Sequence, residues 1–116
     1  MPKLDLMRGD RGYVLGRFTA LVVHVNTDVD AVAAEARISA VPGAAVRTLT
    51  IAYRMALVEI AGRDELRASL IDTRMAAIAN KVHAPDLLDP FGLSEQDAFA
   101  SGFFAELNAL WVGGAL

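Results

Sequence analysis

Apolar residues that recur at helical spacing constrain the fold of this chain more than any other feature. Between Pro42 and Gly62 they return every three or four residues, which places their side chains on one face of an α-helix. Proline suits the first turn of a helix and glycine the position just past its end. The predicted buried stripe consists of Val46, Leu49, Tyr53, Leu57 and Ile60. No segment alternates apolar and polar residues as a half-buried strand does, so we predict an all-α fold.

Four further helices follow from similar patterns, each with a candidate capping residue at its start. The predicted helices span 10–25, 28–38, 42–61, 64–82 and 94–112, and the caps are Asp10, Asp28, Asp64 and Ser94, with Gly113-Gly114 ending the last helix. The inward residues expected in the last two helices are Leu66, Leu70, Ile71, Ile78, Val82, Phe99, Phe103, Leu107, Leu110 and Trp111. We therefore expect a compact bundle of about five helices that forms a single domain over residues 1–116.

The composition favours a protein that contacts partners. Apolar residues make up 54% of the chain and charged residues 22%, so the apolar surface exceeds what a core of this size hides. An alanine-rich composition that inflates the apolar count is the alternative. The chain has no cysteine, which excludes disulfides and thiolate zinc sites. It also shows no secretory signal and no apolar run long enough to span a membrane, so a cytoplasmic location is expected.

Motifs typical of enzymes are missing from the sequence. No phosphate-binding glycine motif and no nucleophile elbow occurs. His24 and His83 lie outside metal-ligand spacing, and we interpret them as a helix-surface residue and a helix-end residue. The carboxylate pairs lie at predicted helix starts, where they complement the helix dipole. We predict a non-enzymatic protein without metal or cofactor.

Basic residues at intervals of seven form two predicted stripes on the surface. Seven residues make nearly two helical turns, so Arg47 and Arg54 point the same way on one helix, and Arg67, Arg74 and Lys81 do so on the next. Arginine forks onto phosphate oxygens, so such rows suit the backbone of RNA or single-stranded DNA. The alternative is an ordinary solvated face.

Charge is also distributed unevenly along the chain. The net charge is −3, yet all eleven basic residues precede residue 82. The acidic residues beyond that point are Asp86, Asp89, Glu95, Asp97 and Glu106. The acidic end of one copy could therefore meet the basic part of another, although a solvated acidic end is equally consistent with the sequence.

Three segments together resemble one family, the large subunit of type I-C CRISPR effector complexes. RGYVLGRFTALV at 11–22 resembles the YxLGRLxAVL helix near that subunit's carboxyl end, and SAVPGAAVRTLTIAYRMAL at 39–57 resembles SATPAxVFPRLLRLxxHHL. LSEQDAFASGFF at 93–104 resembles the closing segment LSxEEQGxFAxGYYHQR. Order and approximate spacing agree over most of the chain. The same region also occurs as a separate small subunit, and the methionine just before the first segment suggests that form.

The resemblance implies a helical, non-catalytic small subunit of a class 1 CRISPR ribonucleoprotein, of type I-C or a related type such as type IV. Its expected protein partners are the backbone and large subunits and further copies of itself. Its expected nucleic-acid ligands are the guide RNA and, in addition, target or displaced DNA. Arg17 and Arg47 match arginines of the family segments, and Gly102 matches a glycine that permits close helix packing. The predicted nucleic-acid contacts are Arg17, Arg47, Arg54, Arg67, Arg74 and Lys81. The alternative is a helical protein–protein adaptor whose arginines make only intersubunit salt bridges.

Overall fold

A computed structural model of the protein describes residues 3–113, which contain five α-helices, one short 3-10 helix and no β-strand. The α-helices are α1 (Arg11–Val25), α2 (Ala31–Ala40), α3 (Pro42–Ala61), α4 (Glu65–Ala79) and α5 (Leu93–Gly113). The 3-10 helix, Ala84–Leu87, lies between α4 and α5. The predicted all-α bundle of about five helices is confirmed. No helix within the described range combines the length and apolar character that crossing a membrane requires.

The central helix of the bundle is α1, in which every residue from Gly12 to Val22 is buried. A helix that is apolar on all sides is stable only when other elements surround it. α5 packs along α1 most extensively, and α2, α3 and α4 also contact it. The core around it includes Ile38, Leu49, Ile71, Ile78 and Phe99.

Two glycines allow the backbones of α1 and α5 to touch. A Cβ atom at Gly16 would lie 2.2 Å from the carbonyl oxygen of Phe99, and one at Gly102 would lie 2.1 Å from that of Tyr13. Both distances are far shorter than real Cβ contacts. Any side chain at either position would therefore force the helices apart. The predicted role of Gly102 in close helix packing agrees with this contact.

The predicted caps of the middle helices are partly correct. The carboxylate of Asp64 accepts a hydrogen bond of 3.0 Å from the backbone N–H of Arg67, so this cap is confirmed. Asp28 does not cap α2, because the helix begins at Ala31 and Asp30 takes that place. The two aspartates are separated by one residue, and the sequence pattern does not show which of them caps α2.

Asp10 lies at the N-cap position of α1 as predicted, whereas the predicted cap of α5 is wrong. Asp10 precedes α1, but its side chain makes a salt bridge to a neighbouring arginine rather than a capping bond. α5 begins one residue before Ser94, so this serine lies inside the helix. The carboxylate of Glu95 instead accepts a hydrogen bond from the backbone N–H of Gly92. Gly114, predicted to help end α5, lies outside the described residues.

Three predicted core residues are exposed, namely Leu66, Leu70 and Trp111. The inward face of α4 is instead formed around Ile71, and Leu66 precedes it by five positions, about 140° around a helix. Trp111 follows the buried Leu110 by one position, about 100° around α5. Side chains at such angles cannot share a narrow buried face.

Candidate nucleic-acid interface

The outer face of α3 carries two of the predicted phosphate contacts, Arg47 and Arg54. Both side chains are exposed, and neither forms a hydrogen bond or ion pair with another residue in the range 3–113. Seven residues of helix separate their Cα atoms by about 10 Å along the axis. Two unpaired guanidinium groups thus face solvent from the same side of one rigid helix.

A shallow groove runs along this face, between α3 and the 3-10 helix, with a volume of about 560 Å³. Its surface is largely apolar, and its most prominent side chains are Ile51, 60% exposed, and Leu88, 75% exposed. The full lining consists of Gly43, Val46, Arg47, Thr50, Ile51, Arg54, Leu87 and Leu88. The groove therefore combines cations with an apolar floor, and we call it the α3 groove.

Arg11 holds the segment that forms the far wall of the α3 groove. Its guanidinium donates hydrogen bonds to the backbone carbonyls of Asp86, Asp89 and Pro90 at 2.6–2.9 Å. It also makes a two-pronged salt bridge with Glu95 and lies over the ring of Phe91. A single side chain of α1 thus fixes the whole stretch between the 3-10 helix and α5.

The same contacts offset the acidic charge near the groove. The pKa of Arg11 is raised chiefly by its hydrogen bonds to Glu95, with further contributions from the carboxylates of Asp89 and Asp86. Both aspartates therefore lie within the field of the Arg11 guanidinium. Arg11 thus offsets part of this acidic charge, chiefly that of its salt-bridge partner Glu95.

The Arg11–Glu95 pair predicts a specific loss of stability in acid. Hydrogen bonds from Arg11 and then from the Gly92 N–H lower the pKa of Glu95 from its usual 4.5 to about 2. This stabilisation is complete above pH 4.5 and disappears as the pH falls towards 2. We expect the melting temperature of the wild type to exceed that of Glu95→Gln above pH 5, and the difference to vanish near pH 2.

Melting curves between pH 2 and 6 test this dependence. Glu59→Gln is a matched control, because Glu59 is exposed and has no hydrogen-bond partner among the described residues. A difference between wild type and Glu95→Gln that stays constant over this pH range would show that the carboxylate charge is not what holds Arg11.

The second predicted stripe does not form a free ridge. Arg74 makes a salt bridge to Glu106 of α5, and Arg67 lies half-buried at the start of α4. Lys81 lies beyond the end of α4 at Ala79 and is also half-buried. These three residues therefore present less accessible charge than Arg47 and Arg54 do.

Arg17 lies in the core, which corrects the prediction that it faces nucleic acid. Its side chain is only 3% exposed, and its Nε donates a 2.8 Å hydrogen bond to the fully buried carboxylate of Glu106. Arg74 reaches the other oxygen of the same carboxylate. The physical reason is the position of Arg17 on α1, which neighbouring helices enclose on every side. One of its nitrogens, Nη1, has no hydrogen-bond partner among residues 3–113.

The acidic carboxyl end is less exposed than its composition indicates. Glu106 is buried between two arginines, and Glu95 is paired with Arg11. Asp89 and Asp97 remain as exposed carboxylates in this region. Pairing between the ends of neighbouring copies therefore has fewer free charges than the sequence predicts.

A second cleft, at the end of α1, is polar and carries both signs of charge. His24, Asp28, Glu59 and Arg63 line it, together with Arg67. His24 is half-buried rather than on the surface, and its Nε2 has no hydrogen-bond partner in the part of the chain that the structure describes. His83 lies at the start of the 3-10 helix, where its backbone N–H donates to the carboxylate of Asp86, and not at the end of α4 as predicted, because α4 already ends at Ala79. The carboxylates make this cleft less suited to phosphate than the α3 groove.

Sequence reasoning missed the residues that shape the α3 groove. Ile51 lies four positions after Arg47 and three before Arg54, so helical spacing alone could have placed it between them. Leu88 carried no such signal, because it reaches the groove from a distant part of the chain, and Arg11 only holds the segment that bears Leu88. Among residues 3–113, no cluster of three or more histidine, aspartate or glutamate side chains could hold a metal ion.

Comparison with protein-family models, with curated proteins and with solved structures finds no match to this chain.

Proposed function

We propose that this protein is a non-catalytic small subunit of a class 1 CRISPR ribonucleoprotein effector complex, in which the α3 groove contacts nucleic-acid phosphates. The observation that carries the proposal is the pair of exposed, unpaired guanidinium groups of Arg47 and Arg54 on one helix. The three segments that resemble the type I-C large subunit supply its biological setting. Arg47 belongs to one of these segments, so the resemblance and the surface charge coincide there.

In this setting the protein works in the cytoplasm, and several copies stack along the guide-RNA backbone. Their partners are the backbone and large subunits, with target or displaced DNA as further ligands. Contacts to phosphates position a strand without reading its sequence. Arg67 and Lys81 are half-buried and are not among the residues that line the α3 groove, so this contact does not depend on them. Arg17 and Arg74 instead form salt bridges to the buried Glu106 and so belong to the interior of the bundle.

Reversing the charge of Arg47 and Arg54 is expected to weaken binding to a labelled RNA or single-stranded DNA by at least about tenfold, since two phosphate contacts become repulsive. The salt dependence should also become shallower, by roughly 0.7 in log–log slope for each phosphate that the variant no longer neutralises on a single strand. Fluorescence anisotropy between 50 and 200 mM salt (about the range over which phosphate contacts respond strongly) measures both quantities.

Arg37→Glu/Arg63→Glu is the matched control, because both arginines are exposed and lie outside the α3 groove. Each double reversal subtracts four charges from the net −3, so the two variants carry the same total charge. If both double reversals weaken binding equally, overall charge rather than the α3 groove retains the strand. Melting temperatures establish that both variants remain folded.

The second candidate is a helical protein–protein adaptor, and exposed apolar residues on α3 favour it. Met55 and Val58 are 68% and 74% exposed, one turn apart and next to Arg54. Such a surface suits a partner protein. Affinity purification with the neighbouring gene products separates the candidates: a large particle with short RNA supports the ribonucleoprotein, and a stable RNA-free protein complex supports the adaptor.

A further inference from the structure

The α3 groove has two chemical parts that a phosphate backbone alone does not use. Arg47 and Arg54 supply cations at points about 10 Å apart along the helix axis. Between them, Ile51 and Leu88 expose large aliphatic surfaces to solvent. A ligand that only contacted the arginines would leave this apolar floor in water or cover it with charged phosphates.

A double helix fits this arrangement poorly. Its bases are stacked inside, so it presents phosphates and sugars to a shallow groove. Phosphates pressed against Ile51 and Leu88 would lose hydration without gaining a hydrogen bond. A single strand places both parts together, because its phosphates can contact the arginines while an unstacked base turns its apolar face to the floor.

We infer that the α3 groove binds single-stranded nucleic acid with one unstacked base packed against Ile51 and Leu88, and that it thereby distinguishes single strands from duplexes. This inference rests on the proposed function and adds the strand class and the base contact. The floor carries no charged group between the arginines, and every base has an apolar face. The contact is therefore tolerant of sequence.

The segment that bears Leu88 is held in a fixed position on both of its sides. Arg11 donates hydrogen bonds to the backbone of this segment, and Gly43 of α3 packs closely against the same segment. A Cβ atom at Gly43 would be 3.1 Å from the carbonyl oxygen of Leu87, so the 3-10 helix packs closely on α3. Because the backbone that carries it is rigid, this apolar floor loses little conformational freedom when a base binds to it.

The test uses the full chain and three labelled probes: a twelve-nucleotide thymidine strand, the same length of abasic strand, and a twelve-base-pair duplex. Ile51→Ser/Leu88→Ser removes the apolar floor at exposed positions, where substitutions change stability little. We expect this variant to bind the thymidine strand roughly fivefold to tenfold more weakly, less than the loss of an aromatic stacking partner. Its affinity for the abasic strand and the duplex should be unchanged.

Met55→Ser/Val58→Ser is the matched control, since it removes similarly exposed apolar side chains of α3 outside the groove. It should keep the preference of the wild type for thymidine over abasic strands. Equal binding of both strands by the wild type, or a floor variant that binds like the wild type, overturns the base contact. If Arg47→Glu/Arg54→Glu still weakens binding in that case, the proposed phosphate contact is kept and only the base contact is rejected. If the wild type binds no probe, both proposals fall.

Discussion

Replacement of Gly102 with alanine is expected to destabilise the protein by about 3 kcal/mol or more, at the upper end of the range for overpacked cores. The added Cβ would lie 2.1 Å from the carbonyl oxygen of Tyr13, 2.8 Å from its carbonyl carbon and 3.0 Å from its Cα. All three atoms belong to the backbone of α1 and cannot rotate away. The clash also outweighs the helix propensity of alanine, which favours it over glycine by roughly 1 kcal/mol.

Urea denaturation followed by circular dichroism measures this loss. Gly62→Ala is the matched control, because Gly62 has a helical φ of −66° and its nearest contact for a Cβ is 3.5 Å. That variant should change the free energy of unfolding by no more than about 1 kcal/mol, and in the stabilising direction. Comparable stability of Gly102→Ala and Gly62→Ala would mean that the backbones of α1 and α5 are not in contact.

The helices were predictable where the chain carries local signals at both ends. α3 runs from Pro42 to Ala61, as the proline, the apolar stripe and Gly62 indicate together. The buried faces of α4 and α5 were less predictable, because these two helices carry more large apolar side chains than the neighbouring helices cover. Leu66 and Trp111 are exposed for that reason. Periodicity shows which residues share a face but does not show how wide the covered face is.

The candidate site was predictable in its cations and not in its walls. Arg47 and Arg54 lie on one helix, so their common orientation follows from spacing. Leu88 lies beside them because Arg11, 77 positions earlier in the chain, holds the backbone on both sides of it. Arg17 shows the opposite failure. Its match to an arginine of the resembling family segment assigned it to the interface, whereas its actual partner, Glu106, lies 89 positions away.

Replacing Glu106 with leucine is expected to cost about 3–5 kcal/mol, because it leaves the buried guanidinium of Arg17 without a counter-charge. Arg17 is 3% exposed and cannot reach water without opening the contact between α1 and α5. Arg74 is affected less, since part of its side chain is already exposed. Urea denaturation again provides the measurement, and Arg74→Met serves as a control that should cost less.

Adding Arg17→Met to Glu106→Leu should recover most of that loss. A buried ion pair replaced by apolar side chains of similar size is often as stable as the original. Here the double variant also removes Nη1 of Arg17, a buried donor that has no hydrogen-bond partner among the described residues. The two substitutions should therefore be strongly non-additive. A double variant less stable than Glu106→Leu alone would show that Arg17 contributes through packing rather than through its charge.

The same double variant separates the structural arginine from the binding ones. Arg17 lies in one of the segments that resemble the type I-C large subunit, yet its charge is neutralised inside the bundle by Glu106. Arg17→Met/Glu106→Leu should thus keep the affinity of the wild type for a single strand, whereas reversal of Arg47 and Arg54 lowers it. Anisotropy titrations of both variants at one salt concentration make the comparison. Weaker binding by the folded Arg17→Met/Glu106→Leu variant would show that Arg17 contributes to the nucleic-acid interface.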